Sequence, residues 1–256
     1  MSHVVFDIGG TNMRVAFSDG DSLAGLKKIP TPQGPEEAVE VMRAYLDSRT
    51  QRPDGIAGGI AGVIRDGVVT RSPNLAAWNG FALSRALESA SGLPISIRND
   101  AETAGIGEAV KGAGKGYRRV AYLTIGTGVG GTIVVDGMIP AEAEDLEPGR
   151  WLLEDGRTFE SHIGGASLEA EFGQSARELP RSVYESRLPF LVSGIRMMAS
   201  VWAPDILILN GSLMNDENGF VLHNVVREVS GAFPIVLASF GDSSGLMGAS
   251  VLAERA

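Results

Sequence analysis

Short apolar runs bounded by glycine alternate along this chain with longer amphipathic stretches, the pattern of strands interleaved with helices. The first run, Val4 to Ile8, predicts a strand; Gly9-Gly10 breaks it, and Met13 to Phe17 predicts its hairpin partner. A proline-rich connection leads to Pro35, which opens a helix from Glu36 to about Ser48. Gly55 to Val63 and Val68 to Thr70 predict further strands, Phe81 to Ser91 an amphipathic helix, Ile95 to Ile97 a strand and Asp100 to Lys111 another helix. The run Gly112 to Gly116 marks a hinge or boundary, because small flexible residues separate that helix from a strong new strand, Val120 to Ile125. Beyond it the opening pattern returns: strand, glycine turn from Gly126 to Gly131, strand Thr132 to Val135, and a further turn at Asp136-Gly137. An acidic segment from Glu142 to Glu160, helical stretches at Leu168 to Phe172 and Val183 to Val201, a buried strand Asp205 to Leu209 and a short helix after Gly245 complete the chain. The expected class is α/β with a mixed sheet in each of two units.

Composition narrows what such a fold can do. Of 256 residues, 44% are hydrophobic and 21% charged, enough to build a sizeable core. The longest mostly apolar stretch, Pro189 to Leu209, contains Arg196, Pro204 and Asp205, so no membrane role is expected. The first strand pattern begins at Val4, leaving no room for a signal sequence, and the expected location is cytoplasmic. Without cysteine there are no disulfides, thiolate zinc sites or cysteine nucleophiles, and His3, His162 and His223 are too scattered to suggest a histidine-rich metal site. Chemistry falls to carboxylates and oxygen ligands. With 22 basic against 31 acidic residues the formal charge is −9, which argues against a nucleic-acid partner. The outlier is glycine: 34 residues, roughly twice the usual share.

Those glycines concentrate in turns that suit anions. The segment Gly126-Thr127-Gly128-Val129-Gly130-Gly131 satisfies the dinucleotide spacing, but a strand follows it where that fingerprint requires a helix. No Walker-type loop exists, since Gly114-Lys115 is followed by Gly116. What remains is a pair of glycine hairpins, Gly9-Gly10 and Gly126 to Gly128, whose successive backbone N–H groups can converge on a phosphate, with Thr11 and Thr127 adding hydroxyls. Either turn taken singly is an ordinary β-turn; two of them, with Asp7 before the first where a carboxylate can hold magnesium, point to a phosphate clamp.

These residues resemble the ROK group (repressors, open reading frames and kinases) among the sugar kinases of the actin-like ATPase superfamily. Asp7-Ile8-Gly9-Gly10-Thr11-Asn12 is similar to the first phosphate motif of that group and Leu123 to Gly131 to its second. Further matches follow in order: Pro73-Asn74-Leu75 with Trp78, Asn99-Asp100-Ala101-Glu102, Glu147-Pro148-Gly149, Phe159-Glu160, Pro204 to Gly211, and Gly245 to Ala249. The resemblance implies two ribonuclease-H-like domains with an active-site cleft between them: residues 1–112 with a carboxy-terminal helix at about 243–256, and residues 113–242. It implies ATP and Mg²⁺ as cofactors and a homodimer. Asp100 matches the catalytic aspartate; Asn74, Asn99, Glu147 and Glu160 match sugar-binding positions; Gly9, Gly10, Thr11, Asn12, Gly126, Thr127, Gly128 and Gly211 match nucleotide-binding positions; Asp7 matches the metal-holding position.

Each assignment has a plainer alternative in the residues themselves. Asn99 and Asp100 are both favoured helix caps with Glu102 in the first turn, Asn74 after a proline can simply shape a turn, Glu147 and Glu160 lie in a segment acidic enough to be a solvated face, and Trp78 reads as loop packing. The chain also departs from the group. Many members carry histidine where Arg150 stands, followed by zinc-binding cysteines, and this chain has neither, so no zinc is expected. Arg150 has Glu147 and Asp145 as candidate partners. The reading is an ATP-dependent hexose kinase, glucose at its 6-hydroxyl, with fructose, mannose and N-acetylmannosamine as rival sugars and polyphosphate as a rival donor. A non-catalytic sugar sensor is the rival from another class, and the DNA-binding repressors of the group differ in carrying an amino-terminal helix-turn-helix.

Overall fold

The computed structural model describes residues 2–255 except Arg49, Asp145, Gly231 and Ala232. The chain falls into two compact units, residues 1–107 with 243–256, and residues 108–242.

The first unit opens with β1 (His3–Ile8), β2 (Asn12–Ser18) and β3 (Leu23–Pro30), a meander closed at its first turn by the glycines. β3 occupies the connection that the prolines had suggested was coil. It is a mostly exposed sheet edge carrying Lys27 and Lys28, so it lacks the buried alternation that would announce a strand. Helix α1 (Pro35–Asp47) starts as expected at a first-turn proline with Glu36 and Glu37 behind it. β4 (Gly55–Ile60) ends three residues before the predicted Val63, because Gly62 adopts φ +138° and turns the chain into a separate hairpin, β5 (Val63–Arg65) and β6 (Val68–Arg71). Then come α2 (Leu83–Ser91), β7 (Ile95–Asn99) and α3 (Asp100–Val110), within which the unit boundary falls. The sheet order is β3-β2-β1-β4-β7, with β4 and β7 parallel to β1. Val4, Phe6 and Ile8 point into a core shared with Ala38, Met42, Leu83 and Leu87 of α1 and α2, which by strand alternation sends Asp7 to the opposite face.

The second unit begins with a turn rather than a linker. The buried Glu108 carboxylate accepts the N–H of Ala113 at 3.1 Å and those of Ser239 and Phe240 at 3.0 and 2.9 Å, so the Gly112 to Gly116 segment is pinned to the returning chain. β8 (Arg119–Ile125) and β9 (Val129–Val135) form an antiparallel pair, and Gly130 and Gly131 belong to the strand, not to the turn. Glycine is required there because Pro148 lies against the strand, where a Cβ at Gly131 would sit 2.8 Å from its ring. Helices α4 (Phe159–Ile163), α5 (Gly165–Phe172) and α6 (Arg181–Trp202) cover the sheet; α6 runs through Pro189. β10 (Ile206–Asn210), α7 (Leu222–Val229) and the three-residue β11 (Ile235–Leu237) finish the unit, the last two without counterparts in the sequence reading. The order β11-β10-β8-β9 repeats the first sheet's scheme of a hairpin partner on one side of the opening strand and successive parallel strands on the other, without a counterpart of β3. Finally α8 (Ser244–Ala253) packs on β1, β2 and β4 of the first unit.

Candidate functional site

In the first unit the three parallel strands end level, Ile8 beside Ile60 and Ile60 beside Asn99. Gly9, Ala61 and Asp100 therefore leave the sheet along one carboxyl edge, the place where open α/β sheets build their sites. The first glycine turn is closed by the Gly9 N–H donating to the Asn12 carbonyl at 3.0 Å, ahead of Asn12 in β2 and with Thr11 exposed. Thr31 staples it from behind: its hydroxyl donates to the Gly9 carbonyl at 2.6 Å and its N–H to the Thr11 carbonyl at 3.0 Å. Asn74 lies against the turn, so closely that a Cβ at Gly10 would come within 2.8 Å of the Asn74 Cβ. Its loop is held by the Ser72 N–H donating to Asn79 Oδ1 at 2.7 Å and by Trp78, fully buried in the core as loop packing would have it.

Asp7 faces Arg14 across the hairpin, with Nη1 at 3.4 Å from Oδ2. The first turn of α8 reaches the same carboxylate, since a Cβ at Gly245 would stand 2.7 Å from Asp7 Cγ. Gly59 of β4 performs the matching service for α3: a Cβ there would lie 2.9 Å from the Asp100 Cα, so only a bare backbone lets the helix start so near the strand. The capping ambiguity is resolved in favour of Asn99, whose Oδ1 accepts the Glu102 N–H at 3.1 Å while its Nδ2 donates to the Gly62 carbonyl at 3.0 Å. Asp100 Oδ1 accepts the N–H of the adjacent Ala101 at 2.9 Å. Burial first, and the negative charge of Asp7 second, push its carboxyl from 3.8 up to about 7, against the N–H groups of Ala101 and Asp100 that pull it down. A carboxyl poised near neutrality is suited to accept and release a proton.

The second unit has a corresponding edge. Thr124 of β8 pairs with Asn210 of β10, so Gly126 and Gly211 follow at the ends of adjacent strands. Gly211 has φ +102°, and a Cβ there would overlap the Ile125 carbonyl oxygen at 2.2 Å. The second glycine turn is closed by Gly126 N–H to Gly128 carbonyl at 2.9 Å and is held by the Gly165 and Ala166 N–H groups, which donate to the Gly126 and Thr127 carbonyls at 2.8 Å each. Glu160, on α4 behind the Thr158 cap, accepts the Val129 N–H at 2.7 Å, and a Cβ at Gly128 would stand 2.5 Å from that same Oε2. Glu147 holds Arg150, Oε2 to Nε 2.5 Å, and the other candidate partner, Asp145, lies outside the described residues. The Glu147 to Arg150 turn sits directly on Val129, whose carbonyl oxygen would be 2.2 Å from a Cβ at Gly149. The backbone of the Glu147 to Arg150 turn, at Gly149, and the Glu160 carboxylate thus meet at the first residue of β9.

The sequence profile of the ROK family matches residues 3–141, more than half of the chain. The chain belongs to the ROK family. The glucokinase of Streptomyces coelicolor is 26% identical to it, over 97% of this chain and 96% of its own. The fructokinase of Zymomonas mobilis is 25% identical over 97% and 95%. Among solved structures, a ROK hexokinase from Thermus thermophilus superposes with a TM-score of 0.85 at 26% identity, covering 100% of this chain and 98% of that one. The α/β architecture with a mixed sheet in each unit is the actin-like ATPase fold that the sequence resemblance implied.

Of the residues singled out by sequence in this ROK chain, Asp7, Gly9 to Asn12, Asn74, Asn99 and Asp100 share the edge of the first sheet; Gly126 to Gly128, Glu147, Glu160 and Gly211 share that of the second. Sequence reasoning missed Arg14, Thr31 and the role of Gly245. Arg14 becomes visible only once the hairpin register sets it opposite Asp7, and Thr31 hides between Pro30 and Pro32.

Proposed function

We propose that this ROK protein is an ATP-dependent sugar kinase that transfers the γ-phosphoryl group to a hexose, with glucose at its 6-hydroxyl as substrate. The observation that carries the reading is the Asp100 carboxyl, lifted to about 7 at the sheet edge that also bears Asp7 and the first glycine turn. Phosphoryl transfer to a hydroxyl needs little more than a placed base, donors for the phosphates and a metal to spread the charge. Asp100 accepts the hydroxyl proton as the oxygen attacks phosphorus. The turns at Gly9 to Thr11 and Gly126 to Gly128 offer backbone N–H groups to the phosphates, Asn12 supports the first, and Gly211 adjoins the adenosine. Asn74, Asn99, Glu147 and Glu160 sort sugars by pairing with their hydroxyls. The residues suit magnesium: Asp7 is an oxygen donor, and on the side where α8 meets it stands a glycine, Gly245, which leaves room for a hydrated ion opposite the Arg14 contact. Bound there, the ion supplies charge neutralisation on the phosphates, and Asp7 holds it directly or through water.

A second reading, fructose as acceptor, is favoured by the fructokinase relative, which matches nearly as well as the glucokinase. The test is ³¹P NMR of products from MgATP with glucose, fructose, mannose, N-acetylmannosamine and a no-sugar blank. Glucose 6-phosphate should form with a kcat/KM at least about tenfold above the other sugars, a margin that one or two hydroxyl contacts supply. A different preferred sugar overturns the glucose assignment; nucleotide hydrolysis without sugar dependence overturns the kinase.

A further inference from the structure

Two residues beyond Glu160 on α4, His162 is fully buried yet polar at both ring nitrogens. Nδ1 lies 3.0 Å from Arg157 Nη2 and Nε2 lies 3.1 Å from Asp155 Oδ1. A guanidinium can only donate, so Nδ1 accepts and the ring proton sits on Nε2, given to Asp155. Arg157 closes the triangle, its Nε donating to Asp155 Oδ2 at 3.0 Å and its N–H to Asp155 Oδ1 at 3.1 Å. Those Arg157 groups, the backbone N–H foremost, hold the Asp155 carboxyl down at about 2. The face of the imidazole stacks on Phe190 of α6, centroids 3.9 Å apart and planes 11° from parallel. Every degree of freedom of the ring is therefore taken.

The triangle spans a tight hairpin. Leu153 and Arg157 pair through an N–H to carbonyl bond of 2.9 Å, Leu152 bridges Thr158, and Thr158 then caps α4. The chain passes from this hairpin into the helix that presents Glu160 to the Val129 N–H. Only the His162 ring is buried; Asp155 and Arg157 stand at the surface and reach in to satisfy its two nitrogens. What the polar triangle adds is a single fixed geometry between hairpin and helix.

We propose that Asp155, Arg157 and His162 are positioning residues that fix the Glu160 carboxylate on the second glycine turn. The catalytic consequence rests on the kinase reading above; the positioning itself does not. His162→Phe keeps the ring and its stacking on Phe190 while deleting both hydrogen bonds, and His162→Gln keeps one donor and one acceptor. Hydrogen exchange is followed at the Val129 amide, which Glu160 holds, and at the Leu123 amide inside β8, with kcat and KM for MgATP measured alongside. In His162→Phe the Val129 amide should exchange about tenfold faster while Leu123 is unchanged, the loss of roughly one hydrogen bond's local protection. KM for MgATP should rise more than kcat falls, and His162→Gln should recover most of both. Unchanged exchange at Val129, or equal acceleration at Val129 and Leu123, overturns the proposal, the second by showing a merely structural role. If His162→Phe does not fold, Arg157→Met, which keeps the stem and removes the fork, is read the same way. A wild type without sugar-dependent turnover sinks the kinase reading alone, because the exchange measurement still decides the positioning.

Discussion

A carboxyl that titrates near pH 7 is expensive to ionise, and at Asp100 the expense follows from burial and from Asp7 beside it. The folded-state value stands above the unfolded one, so the protonated group's contribution to stability is complete below about pH 4 and is lost as the pH rises through 7. Asp100→Asn removes the ionisation. It should leave stability unchanged near pH 4 and raise it by roughly 1–3 kcal/mol at pH 8, a fraction of the shift allowing for solvent and relaxation. Urea unfolding at the two pH values checks this, and a variant less stable than wild type at pH 8 contradicts the burial account. Thr31 offers a second residue-scale test. Thr31→Val keeps the shape but deletes the hydroxyl that donates to the Gly9 carbonyl. The loss of about 1 kcal/mol of support should appear as a several-fold rise in the KM for MgATP with kcat nearly constant, read from initial rates.

At the scale of elements, the sites are placed by bare backbone as much as by side chains. Helices α3 and α8 touch where a Cβ at Gly248 would stand 1.7 Å from the Thr103 carbonyl oxygen and one at Gly107 would stand 2.6 Å from the Gly248 nitrogen. Backbone atoms cannot swing aside, so Gly248→Ala must separate the helices. It should destabilise by about 1–3 kcal/mol, lower the melting temperature by several degrees, and weaken activity by shifting Asp100 and Gly245 at the two helix starts; thermal unfolding with parallel assays checks it. The same dependence on contact explains which elements could be read in advance. The β1–β2 and β8–β9 hairpins were legible because apolar alternation and glycine coincide, and α1 because Pro35 and its acids mark a first turn. β3 was not, since an exposed edge strand bearing Lys27 and Lys28 has no buried face to alternate. Gly130 and Gly131 read as turn from the sequence although both lie in β9, because the purpose of Gly131, admitting Pro148 against the strand, lies 17 residues away in sequence and appears only in packing.

Across the whole molecule, one plan is used twice: an antiparallel hairpin at a glycine turn, then a parallel strand ending level with it, in residues 1–107 with 243–256 and again in 108–242. The repeat was visible in the sequence because both turns carry their glycines locally. The identities of Asp7 and Asp100 as candidates were visible as well, but their electrostatic coupling was not, because it arises from the parallel pairing of β1, β4 and β7 across more than ninety residues of chain. Nor was the Glu147–Arg150 pair decided, for Asp145 also lies within a few residues of Arg150 in sequence. The central claim is that Asp100 is the base of a sugar kinase, and its most direct test is single-turnover phosphoryl transfer from MgATP to glucose in wild type and Asp100→Asn, with glucose affinity measured on both proteins. The account predicts that the variant binds glucose within about twofold of wild type yet transfers phosphate roughly a thousandfold more slowly; near-normal transfer by Asp100→Asn would contradict it.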